Sequence, residues 1–303
     1  MEDYPFTILE FESRFKDEKA CPEYLIQIRW LDGFYCPKCG HKKARITKRG
    51  LYHCQLCNTQ TSVTSGTIFN DRRKPLMLWF RAIWYVTNQK NGVSALGLPR
   101  VLGIKSYRTA WTWLHKLRYA MVRPGRDRLS GIVEVDETYI GGKKPGKRGR
   151  GAEGKSLVVV AVEDKDNPFG KIRLTRVADA SAKNLIQAAQ ESVEVGSLIR
   201  TDGLKGYVQL LSKGYQHSVI RQSTNIGDNL LPLTSRVVAL LKSWLQGTHQ
   251  GAVQPSHLDY YLDEFTFRFN RRTSGSRGKL FYRLVQQAVI IPPIKGKDIR
   301  GGR

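Results

Sequence analysis

The sequence predicts an α/β protein preceded by two smaller parts, a metal-stapled ribbon and a helical segment, and three observations predict it. Two Cys-x-x-Cys pairs stand 14 residues apart near the N-terminus. Helical periodicity interrupted by two glycine-bearing breaks, at Gly92 and Gly103, fills residues 75 to 121. From residue 132 onward, apolar runs of strand length are followed by a helix and then by another strand.

Composition narrows the class. The chain has 303 residues, room for about two domains, and carries 50 Lys and Arg against 26 Asp and Glu. A formal charge of +24 and a pI of about 10.0 call for an anionic partner. Hydrophobic residues at 41% with only 12 Pro exclude wholesale disorder. The longest apolar run, Leu157 to Val162, is far shorter than the roughly 20 residues of a membrane span. The start Met1-Glu2-Asp3 lacks the basic residues and apolar run of a secretory signal, so the protein is expected in the cytoplasm.

The ribbon comes first. Its pairs are Cys36-Pro37-Lys38-Cys39 and Cys54-Gln55-Leu56-Cys57. Four thiolates at this spacing close two knuckles on one tetrahedral Zn²⁺. Five cysteines in a chain too large to need disulfide staples favour metal over disulfide. Gly40 permits the tight turn after the first pair, and Arg45, Thr47, Leu51 and His53 alternate like a small hairpin leading into the second. The zinc is expected to be structural, because so small a segment uses metal binding as folding energy. Cys21 lies outside the pattern and reads as a small apolar residue. Lys38, His41, Lys42, Lys43, Arg45, Lys48 and Arg49 crowd the module and favour contact with phosphates.

Next, Leu76, Leu78, Phe80, Ile83, Trp84 and Val86 mark a buried helix over 75 to 88, entered through Pro75. Asn91 and Gly92 end it. Val93 to Leu102 reads as a short helix, Gly103 to Lys105 as a turn, and Ser106 to Met121 as a longer helix capped by Ser106. Two helices across a short glycine-bearing turn suggest a helix-turn-helix, the alternative being a three-helix core that merely links the ribbon to the C-terminal part of the chain. In the first reading Arg108, Lys116 and Arg118 face solvent and DNA, while Tyr107, Trp111, Trp113 and Leu114 pack or stack.

The third part carries the chemistry. Ile132 to Tyr139 alternates like a strand, with Asp136 near its end, and runs into Gly141-Gly142 and a basic loop. Strands follow at Ser156 to Glu163 and Ile172 to Val177, then a helix from Ser181 to Ser192. Leu198 to Gly203 is a short strand delivering Asp202 at its carboxyl end, where ligands of α/β sheets commonly sit. Asp136 and Asp202 are the candidate ligands of a pair of divalent ions, Mg²⁺ or Mn²⁺, suited to phosphodiester chemistry. Between them Lys143, Lys144, Lys147, Arg148 and Arg150 form a glycine-rich loop, read as a DNA backbone clamp or a plain solvated loop. Near the C-terminus Arg268, Arg271, Arg272, Arg277 and Lys279 interleave with Phe267, Phe269, Phe281 and Tyr282, predicting a helix that packs on the core with its arginines toward DNA. Glu264 reads as a helix salt bridge to Arg268 rather than a metal ligand. Pro292 to Arg303 is expected to fray as a basic tail.

The order of motifs now supports a resemblance. The zinc ribbon, Val135-Asp136-Glu137-Thr138-Tyr139 with Gly141-Gly142, and Thr201-Asp202-Gly203 with Tyr207 are followed by Leu240-Leu241-Lys242-Ser243-Trp244-Leu245 and Gly247-Thr248-His249-Gln250-Gly251. His257-Leu258, Tyr261-Leu262-Asp263-Glu264-Phe265 and Arg268-Phe269-Asn270-Arg271-Arg272 complete the set. Over almost its whole length the chain resembles the zinc-ribbon DDE-type insertion-sequence transposases with an ISXO-like catalytic domain. The resemblance implies a mixed-sheet, ribonuclease-H-like core at 126–290, preceded by an arm and ribbon at 1–70 and a helical DNA-binding segment at 71–125, with a tail at 291–303. It implies cleavage and transfer of DNA strands at terminal inverted repeats, with double-stranded DNA of element ends and target as partner. It also implies at least a dimer and association with the bacterial nucleoid. No Walker-type loop is present, so ATP is not suggested.

Carried across, Asp136 and Asp202 are the first two catalytic metal ligands. The family's third position is a Glu, Asn or His on a helix, seven residues before a Lys; that Lys is Lys242, and the third position is Ser235. Serine holds a metal-bound water or a hydrogen bond but is a poor direct ligand for a hard cation. Three explanations stay open: Ser235 works through water, a nearby acid such as Asp228 or Glu264 substitutes, or the protein is a decayed transposase that only binds DNA. Lys242, two helical turns from Ser235 on the same face, is placed to grip a phosphate.

Overall fold

In the computed structural model, which describes residues 2–123, 125–141, 154–165, 170–220 and 230–302, the N-terminal arm forms helices α1 (Ile8–Arg14) and α2 (Ala20–Arg29). Thr7 caps α1 by accepting from the Glu10 amide at 3.2 Å. The ribbon follows as strands β1 (Ala44–Ile46), β2 (Tyr52–Cys54) and β3 (Gln60–Thr61), all antiparallel in that order. Arg45 pairs with His53 across β1 and β2, as the alternation predicts. Trp30 and Phe34 pack on Tyr52 with ring centroids 4.6 and 5.1 Å away, giving the ribbon a small aromatic base.

Three helices come next, α3 (Leu76–Asn88), α4 (Gly97–Leu102) and α5 (Tyr107–Ala120). Gly103, at φ 65°, ends α4 in the left-handed region, and Ser106 caps α5 through the Thr109 amide at 3.3 Å. Helix α4 starts at Gly97 rather than at Val93, because the Ser94 hydroxyl accepts from the Gly97 amide at 3.0 Å and holds the chain in a turn. Only the first turn of α5 is outward: Tyr107 and Arg108 are exposed. Contrary to the expectation that Lys116 and Arg118 face solvent, Lys116 is half-buried and Arg118 is 2% exposed. The reason is that α5 packs on more than one side, with Trp113 stacked on Trp79 at 4.0 Å.

Residues 124–273 form a separate unit. It holds β4 (Ile132–Ile140), β5 (Ser156–Glu163), β6 (Ile172–Val177), α6 (Ala182–Ser192), β7 (Leu198–Thr201), a 3₁₀ turn at Lys205–Lys213, and β8 (Gln216–Val219). Helices α7 (Pro232–His249) and α8 (Leu258–Phe269) follow. The sheet order is β6-β5-β4-β7-β8, with β4–β5 and β5–β6 antiparallel and β4–β7 and β7–β8 parallel, the mixed sheet of a ribonuclease-H-like core. On one face Val133, Val135 and Ile199 pack with Leu185 and Ala189 of α6 and with Tyr207. On the other, Val158, Val160 and Val162 pack with Val237 and Leu241 of α7 and Phe265 of α8. The nearly continuous Val and Leu of β5 follow from covering on both faces.

The chain then returns to its beginning. Helix α9 (Arg277–Ile290) and the short α10 (Gly296–Gly301) complete the sequence, and residues 274–300 belong to the same unit as residues 1–123. The expectation that this helix packs on the core out to residue 290 is therefore corrected. Phe281 is fully buried among Phe11, Phe80 and Trp84, with centroids at 5.4, 5.7 and 5.7 Å, so the apolar face of α9 is filled by aromatic rings of the N-terminal helices. Lys279 and Arg283 pair with Glu2 of the arm. A Cβ at Gly278 would come within 1.6 Å of the Pro5 carbonyl oxygen, so only glycine lets the arm cross there. The tail is likewise anchored rather than frayed: Ile299 of α10 is fully buried. Among the described residues no helix is long and apolar enough to cross a membrane.

Candidate metal centres

The ribbon gathers its four cysteines by local turns. Gly40 (φ 73°) lets its amide donate to the Cys36 carbonyl at 2.8 Å, and Asn58 (φ 59°) does the same for Cys54 at 3.1 Å. The second knuckle thus uses Asn where the first uses Gly, a substitution the αL region tolerates and which spacing alone does not reveal. All four sulfurs lie within 4.8 Å of one another. Cys36 and Cys57 are 3.5 Å apart, and Cys39 and Cys54 3.6 Å. Zn–S bonds of about 2.3 Å in a tetrahedron require sulfur separations of about 3.8 Å, so the quartet fits Zn²⁺. Cys21 is fully buried in α2, and burial pushes its thiol up to about 12, in keeping with an apolar role.

The second centre is built by strand register. In the antiparallel pair β4–β5, Glu134 faces Val162 and Asp136 faces Val160, so both carboxylates project toward the layer of α7 and α8. In the parallel pair β4–β7, Glu134 stands beside Arg200. The register ends there; Asp136 stands two residues further along β4, and Asp202 follows immediately after the end of β7, at the same edge of the sheet. Their proximity is felt electrostatically: burial raises the Asp136 carboxyl above its ordinary value, the Glu137 amide at 2.8 Å lowers it, and the Asp202 charge raises it further. Asp202 is exposed and accepts from the Leu204 amide at 3.0 Å. Ahead of it, Thr201 is fully buried, with its hydroxyl 2.9 Å from His217 Nε2 and accepting from the Gly203 amide at 3.3 Å.

Neighbouring residues complete the surroundings. Glu137 points to the opposite face, where the buried Tyr207 hydroxyl donates to it at 3.3 Å. Glu134, 3% exposed, accepts from the amides of Leu233 and Thr234 at 2.9 and 3.0 Å, both on Oε2. Those amides belong to the first turn of α7, whose N-cap is Leu231 and offers no side-chain acceptor. The strand supplies the cap that the helix sequence lacks. Nothing in the local sequence marks Glu134 for this, since its partners lie about 100 positions away. Ser235 comes next in α7, half-buried, and Lys242 is exposed on the same helix.

Of the acids considered as substitutes, Glu264 is excluded by its surroundings. It is 1% exposed and bonded to Arg268 at 2.8 Å, the salt bridge expected from the i to i+4 spacing. Asp228 lies outside the described residues, as do Lys143, Lys144, Lys147, Arg148 and Arg150. Among the described residues, the cysteine quartet is the only group of three or more His, Cys, Asp or Glu side chains with ligand atoms mutually within 4.8 Å. The oxygen donors of Asp136 and Asp202 suit Mg²⁺ or Mn²⁺, but they stand without a third protein carboxylate or imidazole from that set.

The C-terminal arginines are occupied inside the fold. Arg268 has 13% of its side chain exposed and is held by Glu264, which corrects its assignment to a DNA-facing surface. Arg271 lies 4.1 Å over the Phe267 ring, and Arg272 lies 4.2 Å over Phe269 and donates to its carbonyl at 2.9 Å. Both are half-buried.

Comparison with known proteins agrees with this architecture. Residues 128–270 match the ISXO2-like transposase domain, and residues 16–60 match the transposase zinc-ribbon domain. Over 282 residues the chain is 28% identical to an uncharacterized protein in transposable element ISH50 of Halobacterium salinarum, covering 84% of this chain and 91% of that one.

Proposed function

We propose, for a chain that belongs to the zinc-ribbon, ISXO2-like insertion-sequence transposases through its residues 16–60 and 128–270, that it binds the terminal inverted repeats of its element and cleaves and transfers their DNA strands. The observation that supports the reading is the parallel pairing of β4 with β7, which carries Asp136, and Asp202 just past the end of β7, to one edge of the sheet, close enough for the Asp202 charge to act on Asp136. Divalent ions, which Asp136 and Asp202 would hold, would supply Lewis-acid activation of the attacking hydroxyl and charge neutralisation at the leaving oxygen. Ser235 takes the third position through its hydroxyl, and the Lys242 ammonium grips a backbone phosphate.

DNA contact in this reading comes from the exposed basic residues of the ribbon, Lys38, Lys42, Lys43, Arg45, Lys48 and Arg49, and from Arg108 on the outward first turn of α5. Zinc serves the ribbon as a structural ion. At least two copies act together, one for each element end, in the cytoplasm.

A second reading is favoured by one specific observation, serine at position 235 with no third acid or imidazole whose ligand atom lies within 4.8 Å of those of both aspartates among the described residues. In it the protein folds and binds its ends but does not cut. The deciding experiment is Mn²⁺-dependent nicking and joining of a duplex carrying the inverted repeats that flank the gene. Cleavage by the wild type that Asp136→Ala abolishes, with duplex binding intact, establishes the enzyme. No wild-type cleavage, with binding intact and cutting restored by Ser235→His, establishes the decayed form.

A further inference from the structure

We infer that Glu134 is a positioning residue, which fixes the first turn of α7 so that position 235 faces the aspartate pair. The inference rests on the reading of Asp136, Asp202 and residue 235 as the catalytic metal centre.

Three features carry it. Glu134 and Asp136 are alternate residues of β4, so they project from the same face of the same rigid central strand. One carboxylate oxygen of Glu134 takes both the Leu233 and the Thr234 amides, the two residues immediately before Ser235. The helix has no cap of its own, because Leu231 holds the N-cap position and Pro232 the first helical one. Val237 and Leu241 hold the body of α7 on the sheet, and this side chain ties its first turn, and with it position 235, to β4. A buried carboxylate at 3% exposure is costly unless paired, and its partners here are the two amides. Arg200, its register neighbour, is engaged by Asp164 at 2.9 Å. A hydrophobic residue would serve packing at this point equally well. A carboxylate specifies instead where the helix begins.

Because both bonds end on a single oxygen, length and an acceptor matter more than charge. Glutamine keeps both. Alanine removes the acceptor, and aspartate withdraws it by one methylene.

The test is a cycle on Mn²⁺ affinity, measured by titration calorimetry or electron paramagnetic resonance on the full zinc-loaded chain. Ser235→Glu adds a hard ligand at the third position and is expected to tighten Mn²⁺ binding about tenfold or more, equivalent to about 1.4 kcal/mol. In the Glu134→Ala and Glu134→Asp backgrounds that gain is expected to fall below about twofold, with helical circular dichroism retained, while in Glu134→Gln it persists. Should Glu134→Ala fail to fold, Glu134→Asp carries the comparison. An undiminished gain with Glu134→Asp overturns the positioning role. Loss of the gain with Glu134→Gln also overturns it, because it would assign the effect to charge. No gain from Ser235→Glu in the wild-type background removes position 235 from the metal centre, and the underlying reading falls together with this one.

Discussion

The cysteine quartet and the aspartate pair both converge on a cation, yet the chain assembles them by different means. The quartet is drawn from positions 36 to 57 and closed by two short turns, so its geometry depends on little beyond its own loops. The aspartates are 66 positions apart and meet only because β4 and β7 pair in one register. A slip of one residue would turn Asp202 to the other face of the sheet. The quartet is a complete ligand set, whereas the pair depends on a serine for its third corner. Local sites of this kind are robust to the rest of the fold, while register-built sites inherit every error in it.

The largest expected effect breaks the comparison at its robust end. Removing zinc with a chelator, or Cys57→Ser, takes away binding free energy of order 10 kcal/mol for such sites and should unfold residues 36–61. Hydrogen exchange should show the ribbon amides losing protection while β5 keeps its own. Equal loss in β5 would mean that the two centres are not built independently. Next, Asp202→Ala should weaken Mn²⁺ binding on the order of 100-fold with zinc content unchanged, since even groups behind a ligand typically contribute 10- to 100-fold. Atomic absorption and a Mn²⁺ titration read the two quantities on one sample. The smallest effect sharpens the contrast in stability. Burial and the neighbouring Asp202 raise the Asp136 carboxyl, so its ionised form is penalised in the fold. That penalty is absent at pH below its ordinary value of 3.8 and grows as pH rises through the raised value. Asp136→Asn should therefore stabilise the metal-free protein by about 1 kcal/mol at pH 7, with the gain shrinking toward pH 4 in thermal melts.

Legibility in the sequence divides along the same line. Zinc spacing, the Ser106 cap, the Gly103 turn, the three hairpin strands and Asp202 at a strand end are all encoded within a few residues, and each is found where its local signal puts it. The misplaced features are those decided by distant partners. Arg118 and Lys116 look like the polar face of α5, but in the fold Arg118 is buried and Lys116 half-buried. Arg268 reads both as the i to i+4 partner of Glu264 and as a DNA contact, and the burial of Glu264 by the surrounding core decides for the salt bridge. Strand β8 and the cap supplied by Glu134 carry no signature in their own segments. For the same reason Phe281 reads as part of a core helix, although its ring completes the aromatic cluster of residues 11 to 84.

That return of residues 274–300 to the first unit sets a timetable for synthesis. The ribosome makes Phe11, Phe80 and Trp84 early, yet their partner Phe281 emerges only after the intervening 124–273 unit. At roughly 5–20 residues per second the wait from Trp84 to Phe281 is about 10 to 40 s, during which the nascent N-terminal helices lack the ring that completes their aromatic cluster. A nonsense codon or frameshift between codons 274 and 281 would leave the aspartate-bearing strands and α6 to α8 encoded in full while removing Phe281 from the unit at the opposite end of the message.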